Sequence, residues 1–167
     1  MKLTVNGREA YAYTGGKAFD SALPCVVFIH GAVNDHTVWT LLARWFAHHG
    51  HSVLALDLPG HMRSEGPALA SVQDIADWLL DLMTAAGVQR AALAGHSLGS
   101  LIALEAAARA PERVTQLAML GTSVPMPVPY WLQAEKSLWK RRGLPCVANT
   151  WRIRARPAPR SQTPGPG

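Results

Sequence analysis

Four continuous apolar runs constrain the fold of this chain more than any other feature. They are Pro24-Cys25-Val26-Val27-Phe28-Ile29-His30, Ser52-Val53-Leu54-Ala55-Leu56-Asp57, Arg90-Ala91-Ala92-Leu93-Ala94-Gly95 and Val114-Thr115-Gln116-Leu117-Ala118-Met119-Leu120. Runs without strict alternation suit strands covered on both faces. Helical patterns separate them. The first extends from Asp35 or His36 to His49, with Asp35 as cap, Trp39, Leu42, Trp45 and Phe46 on one face, and Gly50 as stop. The second opens at Ser71, with Asp74 three residues on as a capping-box variant, and carries Val72, Ile75, Leu79 and Leu82 as its stripe before Gly87. The third runs from Leu98 to Ala110 and ends at Pro111. This alternation predicts an α/β fold: a mostly parallel sheet with helices on both faces. Leu3-Thr4-Val5 and Glu9-Ala10-Tyr11-Ala12-Tyr13, split by Asn6-Gly7, predict an antiparallel N-terminal hairpin.

The chemistry concentrates where these runs end. Gly95-His96-Ser97-Leu98-Gly99 fits Gly-x-Ser-x-Gly, with a strand running into it and a helix leaving it. A serine on such a turn projects its hydroxyl clear of the sheet, and glycines two residues either side keep Cβ atoms out of the crowded bend. Ser97 is therefore the expected catalytic nucleophile. His30-Gly31-Ala32-Val33 follows the first long run, and Gly31 lets the chain turn back over the sheet edge. The Ala32 and Leu98 N–H groups are the expected oxyanion hole. His30, Gly31, Gly95, His96 and Gly99 are expected to support the turn and the loop, with His30 packing behind the loop rather than acting as a base.

Asp57-Leu58-Pro59-Gly60-His61-Met62-Arg63-Ser64 follows the second long run. With the two motifs above, it makes the chain resemble the α/β-hydrolase superfamily, in the subgroup of esterases, C–C hydrolases, epoxide hydrolases and aminopeptidases. The resemblance runs from about Leu3 to about Val128, with three motifs in family order and spacing. Met62 stands where the family usually has a second glycine. The resemblance implies that Asp57 orients the loop rather than serving as the catalytic acid. It also implies a cofactor-independent hydrolase acting on a small-molecule ester, amide or ketone-type substrate through an acyl-serine.

The family order is nucleophile, acid, histidine. No histidine and no aspartate follows Ser97, and the only later acids are Glu105, Glu112 and Glu135. None of the three follows a late strand. Without a base a serine hydroxyl is a poor nucleophile, so an impaired hydrolase is the expectation. His36 and His61, on loops at the catalytic edge, are the candidates for a substitute base. His48, His49 and His51 straddle a helix end with no carboxylate or cysteine beside them, so no metal site is expected. Cys25 and Cys146 read as one buried and one incidental thiol of a reducing compartment.

Charge divides the chain. Residues 1–135 carry 8 Lys/Arg and 11 Asp/Glu, a balance of −3, whereas residues 136–167 carry 8 Lys/Arg and no acid, or +8. Pro125, Pro127 and Pro129 break the strand–helix rhythm. The expected organisation is the N-terminal half of an α/β-hydrolase domain over 1–128, a cap-like remnant over 129–139 with a short helix from Trp131 to Trp139, and a basic Pro/Arg-rich disordered tail over 140–167. A truncated or frame-shifted hydrolase, with residues from about Lys136 onward foreign to the family, would produce this division. No run reaches the ~18 apolar residues of a membrane span, and polar residues interrupt the start too early for a secretory signal. A cytoplasmic protein without membrane contact or specific nucleic-acid recognition is expected. Two alternatives remain open: a non-catalytic binding protein whose cationic tail contacts nucleic acid or acidic surfaces, and self-association through the open sheet edge.

Overall fold

The computed structural model describes residues 1–122. Their strands are β1 (Lys2–Val5), β2 (Arg8–Tyr13), β3 (Cys25–Ile29), β4 (Ser52–Leu56), β5 (Ala91–His96) and β6 (Val114–Leu120). They form one six-stranded sheet in the order β1-β2-β4-β3-β5-β6. The pairs β4–β3, β3–β5 and β5–β6 are parallel, while β1–β2 and β2–β4 are antiparallel. Asn6 and Gly7 take consecutive positive φ angles, 50° and 76°, which match the right-handed twist of the flanking strands. The expected mixed sheet and its hairpin are therefore present. The expected helix over 131–139 and the basic tail lie outside the described residues.

Among the described residues three α-helices cover the sheet: α1 (Thr40–His48), α2 (Val72–Ala85) and α3 (Leu98–Arg109). Side chains alternate across each central strand, so each strand feeds two cores. Val27, Ile29, Leu54, Leu56 and Leu93 meet α2 and α3 on one face; Val26, Phe28, Val53 and Ala55 meet α1 on the other. Ser71 caps α2: its hydroxyl accepts from the Asp74 amide at 3.0 Å and donates to the Asp74 carboxylate at 2.7 Å. The predicted stripe of α2 faces inward, with Ile75, Leu79 and Leu82 buried and Val72 packed against them.

The first helix departs from expectation. It begins with a 3₁₀ turn, His36–Trp39, whose cap Asp35 accepts from the Thr37 amide at 2.7 Å. Its inward stripe is Trp39, Ala43 and Ala47 with Phe46 packed at its margin, so Trp39 and Phe46 of the predicted face meet the sheet and Leu42 and Trp45 do not. Leu42 and Trp45 are exposed, and Phe46 is only partly buried. The sheet beneath already carries bulky Phe28, Val26 and Val53, so alanines fill the narrow space and the larger side chains turn outward.

The free edge of β6 has no strand partner among the described residues, and its side chains are half-buried or exposed throughout. Among these residues, no helix is long and apolar enough to cross a membrane.

Candidate active site

Ser97 occupies the joint between β5 and α3 at φ 52° and ψ −117°, a backbone state that costs a non-glycine residue energy. The neighbouring glycines make the joint sterically feasible. A Cβ on Gly95 would press into the Gly99 backbone and lie 2.5 Å from the Ser100 amide nitrogen. One on Gly99 would run into the carbonyls of Ile29 and His30. Strand, turn and helix start therefore stack backbone against backbone.

The joint is also hydrogen-bonded to the end of β6. The Ser97 amide donates to the Leu120 carbonyl at 2.9 Å. The fully buried Ser100 hydroxyl donates to the Gly95 carbonyl at 2.7 Å, with the Leu120 carbonyl at 3.2 Å, and accepts from the Leu120 amide at 3.2 Å. The Ser97 side chain itself is half-buried, and its hydroxyl has no hydrogen-bond partner among the described residues.

The loop after β3 crosses directly over this joint. A Cβ built on Gly31 would lie 3.1 Å from Ser97 Cβ and 3.2 Å from His96 Nδ1. Ala32 follows Gly31 half-buried, and Leu98, also half-buried, begins α3. The His96 ring wedges between two loop backbones, Gly31 on one side and Gly121 on the other, where a Cβ would be 3.1 Å from its Nε2.

The histidines of the neighbouring loops, His30, His36 and His61, have settled partners. His30 is completely buried: its Nε2 accepts from the Leu58 amide at 3.1 Å, so its Nδ1–H donates to the Gly31 carbonyl at 2.7 Å. Burial pushes its pKa down. With both nitrogens engaged, His30 ties the Gly31 loop to the loop after β4 and has no lone pair for a substrate proton.

Asp57, also completely buried, accepts from the His36 amide at 2.9 Å, from His36 Nδ1–H at 2.8 Å and from the Arg63 amide at 3.3 Å. Its carbonyl accepts from Ser64 Oγ at 2.6 Å. The His36 ring lies against Tyr11 and Tyr13 of β2. Because β4 and β5 flank β3, Asp57 ends a strand two spacings, or roughly 10 Å, from the Ser97 strand. His36 therefore serves the loop framework. Its Nδ1–H is spent on Asp57, which also leaves the Asp35–His36–Asp57 group poorly suited to a cation despite its donors lying within 4.8 Å. His61 donates Nδ1–H to the Pro59 carbonyl at 3.0 Å and packs its ring 5.1 Å from that of His30.

A model of the alpha/beta hydrolase fold family matches residues 24–161. The chain belongs to the α/β-hydrolase fold family. It is 33% identical over 117 residues to an (E)-2-((N-methylformamido)methylene)succinate hydrolase of Acinetobacter baylyi, covering 70% of this chain and 42% of that protein. Among solved structures, a bacterial membrane phospholipase A superposes with a TM-score of 0.65 at 36% identity, covering 71% of this chain and 38% of that one. Epoxide Hydrolase A of Mycobacterium thermoresistibile superposes with a TM-score of 0.68 at 25% identity, covering 84% of this chain and 43% of that one. The chain thus spans less than half the length of these relatives.

Within this α/β-hydrolase frame, sequence reasoning missed Ser100, which binds both the strand before the turn and the strand beside it. Its signal was faint: one small polar residue on the otherwise apolar inward face of α3. It also missed Tyr11, whose amide donates to Ser64 Oγ at 2.9 Å and so ties the hairpin to the Asp57 loop.

Proposed function

We propose that this is a serine-hydrolase-type protein with Ser97 as its nucleophile. In this reading Ser97 Oγ attacks the carbonyl carbon of an ester, amide or activated C–C substrate, the C–O, C–N or C–C bond breaks, and the leaving group departs with the serine's proton; water then cleaves the acyl-serine to a carboxylic acid and the free hydroxyl. The Ala32 and Leu98 N–H groups receive the developing oxyanion, aided by the positive end of α3. One observation carries this reading: a strained, half-buried serine with an unengaged hydroxyl stands at a strand–helix joint directly beneath the Gly31 loop. The relatives named as hydrolases support the reaction class.

In this reading the 167 residues supply no histidine or aspartate after Ser97, and the buried pair His36–Asp57 is committed elsewhere. Hydrolysis by these residues alone is therefore expected to run about 10³–10⁶ below that of a complete triad, with residual catalysis from the oxyanion donors and substrate binding. The test is hydrolysis of a p-nitrophenyl ester and labelling by a fluorophosphonate probe, each beside Ser97→Ala. Slow turnover and labelling that vanish in the variant are expected. Equal rates and equal labelling would remove Ser97 from the chemistry.

A further inference from the structure

His96, the residue before the proposed nucleophile, stands edge-on between two glycine backbones. A Cβ on Gly31 would lie 3.2 Å from its Nδ1, and a Cβ on Gly121 would lie 3.1 Å from its Cδ2 and 3.1 Å from its Nε2. Nδ1 and Cδ2 are opposite flanks of an imidazole, so the ring spans the gap between the loop that follows β3 and the chain that leaves β6. His30, His36 and His61 each spend a ring nitrogen on a protein partner. Neither ring nitrogen of His96 has such a partner among the described residues. Its contacts in the gap are contacts of shape.

Both walls of the gap are held from behind. Gly121 lies between Leu120, whose carbonyl accepts from the Ser97 amide at 2.9 Å, and Thr122, whose hydroxyl donates to the Ser97 carbonyl at 3.4 Å. The Gly31 carbonyl accepts from His30 Nδ1–H at 2.7 Å and from the Asn34 amide at 3.3 Å. That carbonyl and the Ala32 N–H belong to one planar peptide group, so neither moves without the other. His30, itself tied to the Leu58 amide, draws the group toward the loop after β4. The His96 ring and Ser97 Cβ stop Gly31 from settling further onto the joint. Two histidines thus act on one peptide group from opposite sides.

We propose that His96 is a positioning residue: the breadth of its ring sets how far the Ala32 N–H stands from Ser97, and the same ring passes displacement of the chain leaving β6 to that N–H. The proposal rests on the roles given above to Ser97 and the Ala32 N–H. A side chain added at Gly121 presses the ring by a few tenths of an ångström at Cδ2 and Nε2 and drives Nδ1 toward Gly31. Reactivity depends steeply on such placement, a displacement of about 1 Å costing about a hundredfold.

The test joins two readouts on the full chain. In amide spectra of ¹⁵N-labelled protein, Gly121→Ala shifts the Gly31 and Ala32 resonances, and the shift disappears when His96→Ala is added. In labelling by a fluorophosphonate probe, His96→Ala lowers the Ser97-dependent rate about tenfold. His96→Phe, which keeps a flat ring in the gap, recovers most of that loss. Gly121→Ala slows labelling several-fold in the wild type and no further in His96→Ala. The amide spectra also show that each variant is folded. Unmoved Gly31 and Ala32 resonances in Gly121→Ala would overturn the proposal, as would equal shifts with and without the ring. So would a folded His96→Phe as slow as His96→Ala, which would give the effect to the imidazole nitrogens. Labelling equal in wild type and Ser97→Ala would remove the reading of Ser97 and the positioning role with it, while the amide shifts would still decide whether the ring links the two loops.

Discussion

The amide of Ser97 donates to the carbonyl of Leu120 at 2.9 Å, so the turn that carries the proposed nucleophile hangs from the end of β6. Ser100 reinforces the same link from inside α3. Replacing Ser100 by alanine removes its buried bond to the Gly95 carbonyl and its part-buried bonds to the Leu120 backbone. The expected loss is about 1–3 kcal/mol, read from the urea midpoint. Stability unchanged within a few tenths of a kcal/mol would show that the two strands hold the turn without that hydroxyl.

Ser97 pays a conformational penalty and makes no side-chain hydrogen bond among the described residues. Glycine removes the penalty of about 1–3 kcal/mol while adding about 0.5–1 kcal/mol of unfolded-state entropy. Ser97→Gly is therefore expected to be more stable than Ser97→Ala by about 1 kcal/mol. Differential scanning calorimetry of the two variants decides the point, and coincident melting curves would argue against a strained joint.

His30 links pH to stability. Burial lowers its pKa from the ordinary value of 6.5, so below pH 6.5 the unfolded chain takes up a proton that the folded chain refuses. Stability should therefore fall as pH drops through 6.5 toward the lowered folded-state pKa, by at most about 1.4 kcal/mol per pH unit from this group. Urea titrations from pH 7.5 down to 5 should give a shallower decline in His30→Gln than in the wild type, beneath any general loss from the two missing hydrogen bonds. Parallel curves would assign the decline to other groups.

Burial at the start of β3 pushes the Cys25 thiol up to about 12. Thiolate is the reactive form, so a disulfide reagent at pH 8 should leave Cys25 untouched in the folded protein. In a Cys146→Ala background, one thiol is expected to react only after denaturant is added. Rapid reaction without denaturant would mean that the start of β3 opens readily.

Much of this structure could be read from the chain because its central strands are apolar without interruption. Runs such as Val26–Ile29 cannot satisfy one wet face, so a covered parallel sheet was the natural reading, and Asn6-Gly7 forced the hairpin. The loops carrying Ser97 and Gly31 were legible for a related reason: only glycine tolerates backbone packed that closely. The rotation of α1 was not legible. Periodicity weighs Leu42 and Trp45 heavily and Ala43 and Ala47 hardly at all, yet the space left by Phe28 admits only the alanines. The partners of His36 were equally hidden, because nothing local marks a histidine that pairs with an aspartate 21 residues away.

The contact of Gly99 with the Ile29 and His30 carbonyls has one more consequence. The height of the Ser97 hydroxyl above the sheet is set by main-chain atoms meeting main-chain atoms, which every sequence shares. Evolution is therefore free to exchange large and small residues along the buried flank of α3, shifting its far end, while the first turn stays seated. Drift in the interior and constancy of the reactive oxygen are thus compatible, provided that neither Gly95 nor Gly99 acquires a methyl group.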